Sequence, residues 1–131
     1  MRHLLATLLL ATLFCAPLAA TPLPLLLRQM PVGTIPLLSE NNLLDLLDTY
    51  EAGATTPIRN SLGDIITIDS LSDTHCQLTL SPSTVVTFQL TDDGTHIQQT
   101  ITTTATALSG ITAHIRRTYT TDWQQVTEEG F

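Results

Sequence analysis

The sequence predicts an α+β domain: a five-stranded antiparallel meander sheet covered on one face by a single amphipathic helix. Apolar and polar residues alternate through residues 64–120, short turn motifs interrupt the alternation, and one helical apolar stripe precedes it. Successive side chains of a strand point to opposite faces. Alternation of this kind is therefore typical of an antiparallel sheet with one buried face and one wet face.

Four strands carry this alternation, and threonine fills many of the polar positions, where its β-branched side chain suits a sheet. The first strand, near residues 64–69, has an open register because Ile65, Ile66 and Ile68 place apolar groups on both faces. The apolar side of the other four is formed by Cys76, Leu78 and Leu80, by Val86, Phe88 and Leu90, by Ile97, Gln99, Ile101, Thr103, Ala105 and Ala107, and by Ile111, Ala113 and Ile115.

Three short motifs mark the turns between these strands: Ser81-Pro82-Ser83, Asp92-Asp93-Gly94 and Ser109-Gly110. Proline presets the φ angle of a turn, and glycine adopts positive φ at low cost. Connections this short join only antiparallel neighbours, because a parallel crossover needs a dozen residues or more. The order of the strands in the sheet should therefore follow the order in the sequence.

The covering helix should begin after Ser39, whose side chain can cap the first turn, and end at Gly53. Its apolar stripe consists of Leu43, Leu46, Leu47 and Tyr50 at helical spacing. Asp45 and Asp48 lie off the stripe, where they form either a solvated acidic face or a carboxylate pair for acid–base chemistry. The solvated face is the commoner cause of this spacing.

The first twenty residues resemble a secretory signal peptide. Arg2 precedes an apolar core at residues 4–14, and small residues end at Ala20, where we expect cleavage. An uncleaved anchor is the alternative, but Pro17 and the short core oppose it. The predicted divisions are a signal peptide at 1–20, a proline- and leucine-rich arm at 21–38, the α+β domain at 39–123 and a C-terminal tail at 124–131. We expect the arm to be extended, with one short helical turn, and either to pack on its own domain or to donate a strand to a partner.

Charge limits the classes of partner. The chain has five arginines, no lysine and twelve acidic residues, and loss of residues 1–20 would leave a net charge of −8. Nucleic acids and anionic membrane surfaces attract positive patches, so neither is an expected partner. We expect an exported protein, periplasmic or extracellular, with no membrane span after cleavage.

The sequence predicts no catalytic, metal-binding or cofactor-binding residue. His75, His96 and His114 lack metal-ligand spacing, and Cys76 lies on the apolar side of its strand, where burial is expected. The segment from His114 to Arg117 is unusual because it holds half of the positive charge left after cleavage. His114 and Arg116 share the wet face and are candidates for an anion-binding site, with ordinary ion pairing as the alternative. Arg117 follows the apolar register and could pair with an acid at the rim.

Several motifs resemble an uncharacterised family of exported Bacteroides-type bacterial proteins, domain of unknown function 3256. This resemblance implies export and an α+β domain, and it transfers no catalytic residue. Family members tend to have Asp-Ser where this chain has Val32-Gly33, and they tend to continue beyond the Asp-Trp pair. The motifs are Met30-Pro31, Ile35-Pro36-Leu37-Leu38, Asn41-Asn42, Asp45-Leu46-Leu47-Asp48, Leu80-Ser81-Pro82-Ser83 and Tyr119-Thr120-Thr121-Asp122-Trp123.

The resemblance also implies one modification site. In such bacteria, an Asp followed by Ser or Thr and an apolar residue can receive an O-linked glycan, and Asp69-Ser70-Leu71 fits this pattern. Ser70 is the candidate acceptor.

We therefore expect a non-enzymatic interaction or accessory module of the periplasm or cell envelope, with a protein or glycan partner that the sequence does not identify. One alternative is a small periplasmic hydrolase or anion-binding protein that uses His114 and Arg116. Another is a sheet protein that self-associates through its exposed edges.

Overall fold

The computed structural model describes residues 21–31, 33–35, 37–105 and 111–130. The predicted signal peptide and the predicted turn at Ser109-Gly110 lie outside the described residues. Two helices are present in the described part, α1 at Leu23–Leu27 and α2 at Glu40–Glu51. The strands are β1 at Ile58–Arg59, β2 at Ile65–Leu71, β3 at His75–Ser81, β4 at Thr84–Leu90, β5 at His96–Ala105, β6 at Ile111–Thr120 and β7 at Gln125–Gly130.

The described strands form one antiparallel sheet of seven, in the order of the sequence from β1 to β7. The predicted fold class, a five-stranded sheet covered by a single helix, is therefore wrong, although the fold is dominated by a meander. β1 is only two residues long, too short to show a period. All six residues of β7 are exposed, so its sequence has no buried side to reveal it. α1 adds a second covering helix.

The five strands from β2 to β6 place their apolar residues on one side, here called the inner face. Cys76, Leu78, Val86, Phe88 and Ile97 are each fully buried there. On β2, Ile66 is buried and Ile65 is 48% exposed, which settles the register that the sequence left open. The opposite side, here called the outer face, carries most of the threonines of these strands.

The helices and the arm pack on the inner face. Ser39 caps α2, because its Oγ accepts a hydrogen bond from the Asn42 backbone N–H at 3.2 Å. Leu23 and Leu27 of α1 are fully buried in the same core as the inner-face residues. The Trp123 indole Nε1–H donates to the Leu26 carbonyl at 2.9 Å, which joins the arm to the turn between β6 and β7. The described part of the arm thus packs on its own sheet.

Candidate functional site

The outer face presents rows of hydroxyl and amide groups across the strands. In one row Thr79 pairs with Val85, Val85 with Thr102, and Thr102 with His114. A second row runs through Gln77, Thr87, Thr100, Arg116 and Glu129, and a third through His75, Gln89, Gln98, Thr118 and Thr127. Neighbouring strands of a sheet lie roughly 4.8 Å apart, so each row is a closely spaced series of polar groups.

The predicted anion-binding pair lies on this face. His114 and Arg116 are two residues apart on β6, so both side chains leave the sheet on the same side. His114 Nδ1 lies 3.0 Å from Thr102 Oγ1, and Arg116 Nη1 lies 3.4 Å from Glu129 Oε1 on β7. The structure brings the two residues together, but Glu129 already supplies a carboxylate to the guanidinium. An incoming anion would have to compete with that carboxylate.

Arg117 points to the inner face and makes the ion pair that its register predicts. Its Nε donates to Glu128 Oε1 at 2.7 Å, and this hydrogen bond raises the pKa of Arg117. Its Nη1 reaches the side-chain oxygen of Gln99 at 3.5 Å. Burial raises the pKa of the neighbouring Tyr119, and the charge of Arg117 partly offsets that increase. These groups border an open cleft between the arm and the hairpin of β6 and β7.

Ser70, the candidate glycan acceptor, is exposed near the end of β2. Its Oγ lies 3.4 Å from His75 Nδ1. The adjacent Asp69 instead accepts hydrogen bonds from Thr67, Gln77 and Thr79 at 2.9, 3.3 and 2.5 Å. Ser70, His75 and Asp69 do not form a catalytic triad, in which the carboxylate would orient the imidazole. The carboxylate of Asp69 is instead directed to these three donors.

The remaining candidate groups have structural roles. Asp48 accepts from Arg28 at 2.7 Å, and Arg28 also reaches Glu51 at 3.1 Å, so α2 carboxylates hold the arm in place. This hydrogen bond with Asp48 raises the pKa of Arg28. In the turn at residues 91–95, donation from Thr91 and Thr95 lowers the pKa of Asp93 to about 2. Across the described parts of the chain, no three His, Cys, Asp or Glu residues come together as a metal site.

Cys76 is fully buried between apolar neighbours, as its position on β3 predicts. Burial and, to a lesser extent, the charge of Asp69 raise the pKa of its thiol to about 12. The reactive form of cysteine is the thiolate, so both the burial and the raised pKa oppose reaction of this thiol at neutral pH.

Two polar residues, Gln99 and Asn60, are buried and make hydrogen bonds that the sequence did not predict. Gln99 is fully buried and its amide donates to the Thr34 carbonyl at 3.4 Å, while its oxygen faces Arg117. The position of Gln99 among the apolar residues of β5 is the sequence feature that could have indicated its burial. Asn60 is 6% exposed, donates to the Leu80 carbonyl at 2.6 Å and accepts from the backbone of Leu62. A loop asparagine carries no such signal in a single sequence.

Most of the chain is similar to a family of known proteins. Residues 17–131 match the family described as "Protein of unknown function (DUF3256)". No curated protein and no solved structure gives a significant match to the chain. Separately, none of the described helices combines the length and the apolar character that crossing a membrane requires.

Proposed function

The chain belongs to the DUF3256 family, whose function is unknown, and we propose that it is an exported, non-enzymatic interaction module of the periplasm or cell envelope. The outer face is the proposed contact surface for a protein or glycan partner. The family assignment confirms the resemblance seen in the sequence. Export, a Bacteroides-type source and the kind of partner are parts of the proposal.

The observation that carries this proposal is the composition of the outer face. Its three rows consist mainly of threonine, glutamine and histidine, and Gln89 and Gln98 are exposed. Hydroxyl and amide groups offer both donors and acceptors, so they can exchange water for a polar partner without burying a charge. Such a surface suits a broad, polar contact better than a small enclosed reaction site.

Export is supported by the signal-peptide pattern of residues 1–20, and the arm contacts that follow lie beyond the expected cleavage site. The Leu23 backbone N–H donates to the Asp73 carbonyl at 2.7 Å, and Leu23 is fully buried. Thr21 is exposed. Cleavage after Ala20 would leave these contacts of Leu23 intact. Mass spectrometry of protein recovered from the periplasm or medium should give a chain starting at Thr21, and a retained Met1 would contradict cleavage.

Photo-crosslinking in cells that export the protein tests the contact surface. A photoreactive amino acid replaces Gln98 on the outer face or, as the matched control, Thr103 on the same strand. Both are exposed, and their side chains leave β5 on opposite faces. We expect a crosslinked adduct from position 98 and none from position 103. Adducts from position 103 alone, or from neither position, would reject the outer face as the contact surface.

The anion-binding alternative rests on the shared face of His114 and Arg116. The pairing of Arg116 with Glu129 weakens this alternative, because the guanidinium charge is already compensated. A titration with inorganic phosphate, monitored through the NMR signals of the His114 imidazole, distinguishes an anion-binding protein from the interaction module. Saturable shifts that Arg116→Gln abolishes would favour the anion site over the interaction module.

The two end strands of the described sheet, β1 and β7, disfavour the self-association alternative. β1 offers only two residues, and β7 carries the adjacent charges of Glu128 and Glu129 and an irregularity at residue 126. Short edge strands, charges and bulges are the features that prevent edge-to-edge pairing. A mass that rises with concentration in light scattering would restore this alternative.

A further inference from the structure

Strand β2 has an open edge over most of its length. β1 pairs with only two of its residues, Ile58 with Ile66 and Arg59 with Ile65, although β2 continues to Leu71. In the part of the chain that the structure describes, no other strand lies on this side of β2. The backbone groups that point to this side beyond Ile66 can therefore form hydrogen bonds with an added strand.

An apolar groove of about 350 Å³ lies beside this open edge and is here called the edge groove. Leu46 and Tyr50 of α2, Pro57, and Ile65, Ile66 and Ile68 of β2 line it. Tyr50 is 45% exposed and Ile65 is 48% exposed, so large apolar surfaces remain in water. In strand-addition sites, backbone hydrogen bonds supply affinity and a side-chain groove supplies specificity. The open edge and the groove provide both components at one place.

The surroundings of the edge groove are acidic. A second groove, which shares Thr49, Thr56 and Pro57 with the first, is lined by Asp45 and Asp48. Five described carboxylates and two guanidinium groups belong to or contact the elements around the groove: Asp45, Asp48, Glu51, Asp64 and Asp69, with Arg28 and Arg59. Arg28 already pairs with Asp48 and Glu51, so the excess charge comes from Asp45, Asp64 and Asp69 against Arg59, and basic side chains on a bound segment would be attracted to it.

We propose that the edge groove binds an extended segment of a partner protein. The segment adds a short strand to β2, places one large apolar side chain between Tyr50 and Ile65, and carries Lys or Arg beside it. This site includes no residue of the three outer-face rows, so it does not depend on the proposed contact surface.

Two features restrict the occupant. The ladder between β2 and β3 shifts register at Asp69, and such a bulge disrupts regular pairing, so only a short strand fits. A second copy of this chain is a poor occupant, because its edge strand β7 carries Glu128 and Glu129 toward an acidic rim and its own β2 edge has the same acidic rim. The chain also contains no lysine. A basic segment from another protein fits these restrictions.

A synthetic peptide provides the probe: Lys-Val-Lys-Leu-Lys-Val-Lys, with acetylated and amidated ends. It is titrated into the protein purified from cells that express the full chain, and backbone amide NMR shifts are followed. We expect saturable shifts at Tyr50 and at residues 65–69, with an affinity that falls as salt is added. The same peptide with Glu in place of Lys should bind far more weakly.

Matched variants distinguish binding of the peptide in the edge groove from nonspecific binding to exposed apolar side chains. Tyr50→Ser and Ile65→Asn each remove an exposed apolar group and should weaken binding at least about tenfold. Val126→Asn, at a 54% exposed position on β7, should leave the affinity unchanged. The proposal fails if the shifts are confined to residues 125–130, if the Glu peptide binds equally well, or if no saturable shift occurs. The proposal also fails if dimerisation of the protein, rather than binding of the peptide, causes the NMR shifts at β2.

Discussion

The inner face of the sheet differs between its two ends, although the strands have the same alternation. One row of paired residues crosses it: Leu78 and Val86 are fully buried, Ile101 is 6% exposed and Ile115 is 37% exposed. Each of these residues occupies an apolar position in the sequence. The difference shows that alternation fixes the direction of a side chain, whereas burial depends on what packs over it.

The two ends are consequently stabilised by different interactions. α1, α2 and the arm form one apolar core with the strands as far as β5, and only Tyr119 of β6 and Trp123 of the next turn extend this core among the described residues beyond β5. Where β6 pairs with β7, away from Tyr119, the two strands are joined by ion pairs, with Arg117 and Arg116 paired to Glu128 and Glu129. Burial of a large apolar side chain contributes about 1.5–3 kcal/mol, whereas exposed ion pairs contribute about 0–1 kcal/mol. The covered end should therefore hold most of the folding stability.

The largest expected effect comes from truncating a side chain at the covered end. Phe88 is fully buried and meets the Trp123 ring edge-on, with 6.2 Å between ring centroids. Phe88→Ala should lower the free energy of unfolding by ~3–5 kcal/mol, because it leaves a cavity in a packed core. The matched Ile115→Ala, at the open end of the same face, should cost under ~1.5 kcal/mol. Urea unfolding measures both, and equal costs would contradict the comparison.

Cysteine reactivity gives an intermediate test of the same difference. Native Cys76 should resist iodoacetamide and react only in urea, because it is buried and its thiol pKa is raised to about 12. In a Cys76→Ala background, Ile115→Cys should react in the native state. Rapid labelling of native Cys76 would show that the covered end opens readily.

The raised thiol pKa also predicts how stability depends on pH. An unfolded thiol ionises near pH ~8.5, whereas the folded one holds its proton to about pH 12. This contribution to stability is therefore complete below the unfolded pKa and is lost as pH rises toward the folded pKa. Cys76→Ala should flatten the alkaline decline in urea-unfolding free energy, and an identical decline in both proteins would contradict this assignment.

The sequence predicted the middle of the sheet because β2 to β6 each have one buried side. It missed β7, where Val126 is the only large apolar residue and remains 54% exposed. For the arm it predicted no more than one short helical turn. The structure has α1 there, which is only five residues long and has a proline in its first turn, where proline is tolerated. Short elements at the margins are held by tertiary contacts, such as the Trp123–Leu26 hydrogen bond, that no local pattern records.

Candidate sites were predictable only where strand register determines them. Two residues on one strand at a spacing of two must share a face, which is why His114 and Arg116 lie together. The Arg117 pair was anticipated for the same reason, whereas Glu129 as the partner of Arg116 required a strand that was not predicted. The edge groove depends on where β1 stops and how α2 crosses β2. Both are properties of packing, so the alternation could not reveal the groove.

The smallest expected effects belong to the two ion pairs of the open end. Glu128 Oε1 is 2.7 Å from Arg117 Nε, and the arginine side chain is 25% exposed; the Arg116–Glu129 pair is longer, at 3.4 Å, and its arginine is 41% exposed. Glu128→Gln should therefore cost ~1 kcal/mol, and Glu129→Gln less than ~0.5 kcal/mol. Urea unfolding at low and high salt measures both costs, and high salt should reduce them. A larger cost for Glu129→Gln than for Glu128→Gln would mean that the Arg116–Glu129 pair, rather than the Arg117–Glu128 pair, contributes more to holding β7 on the sheet.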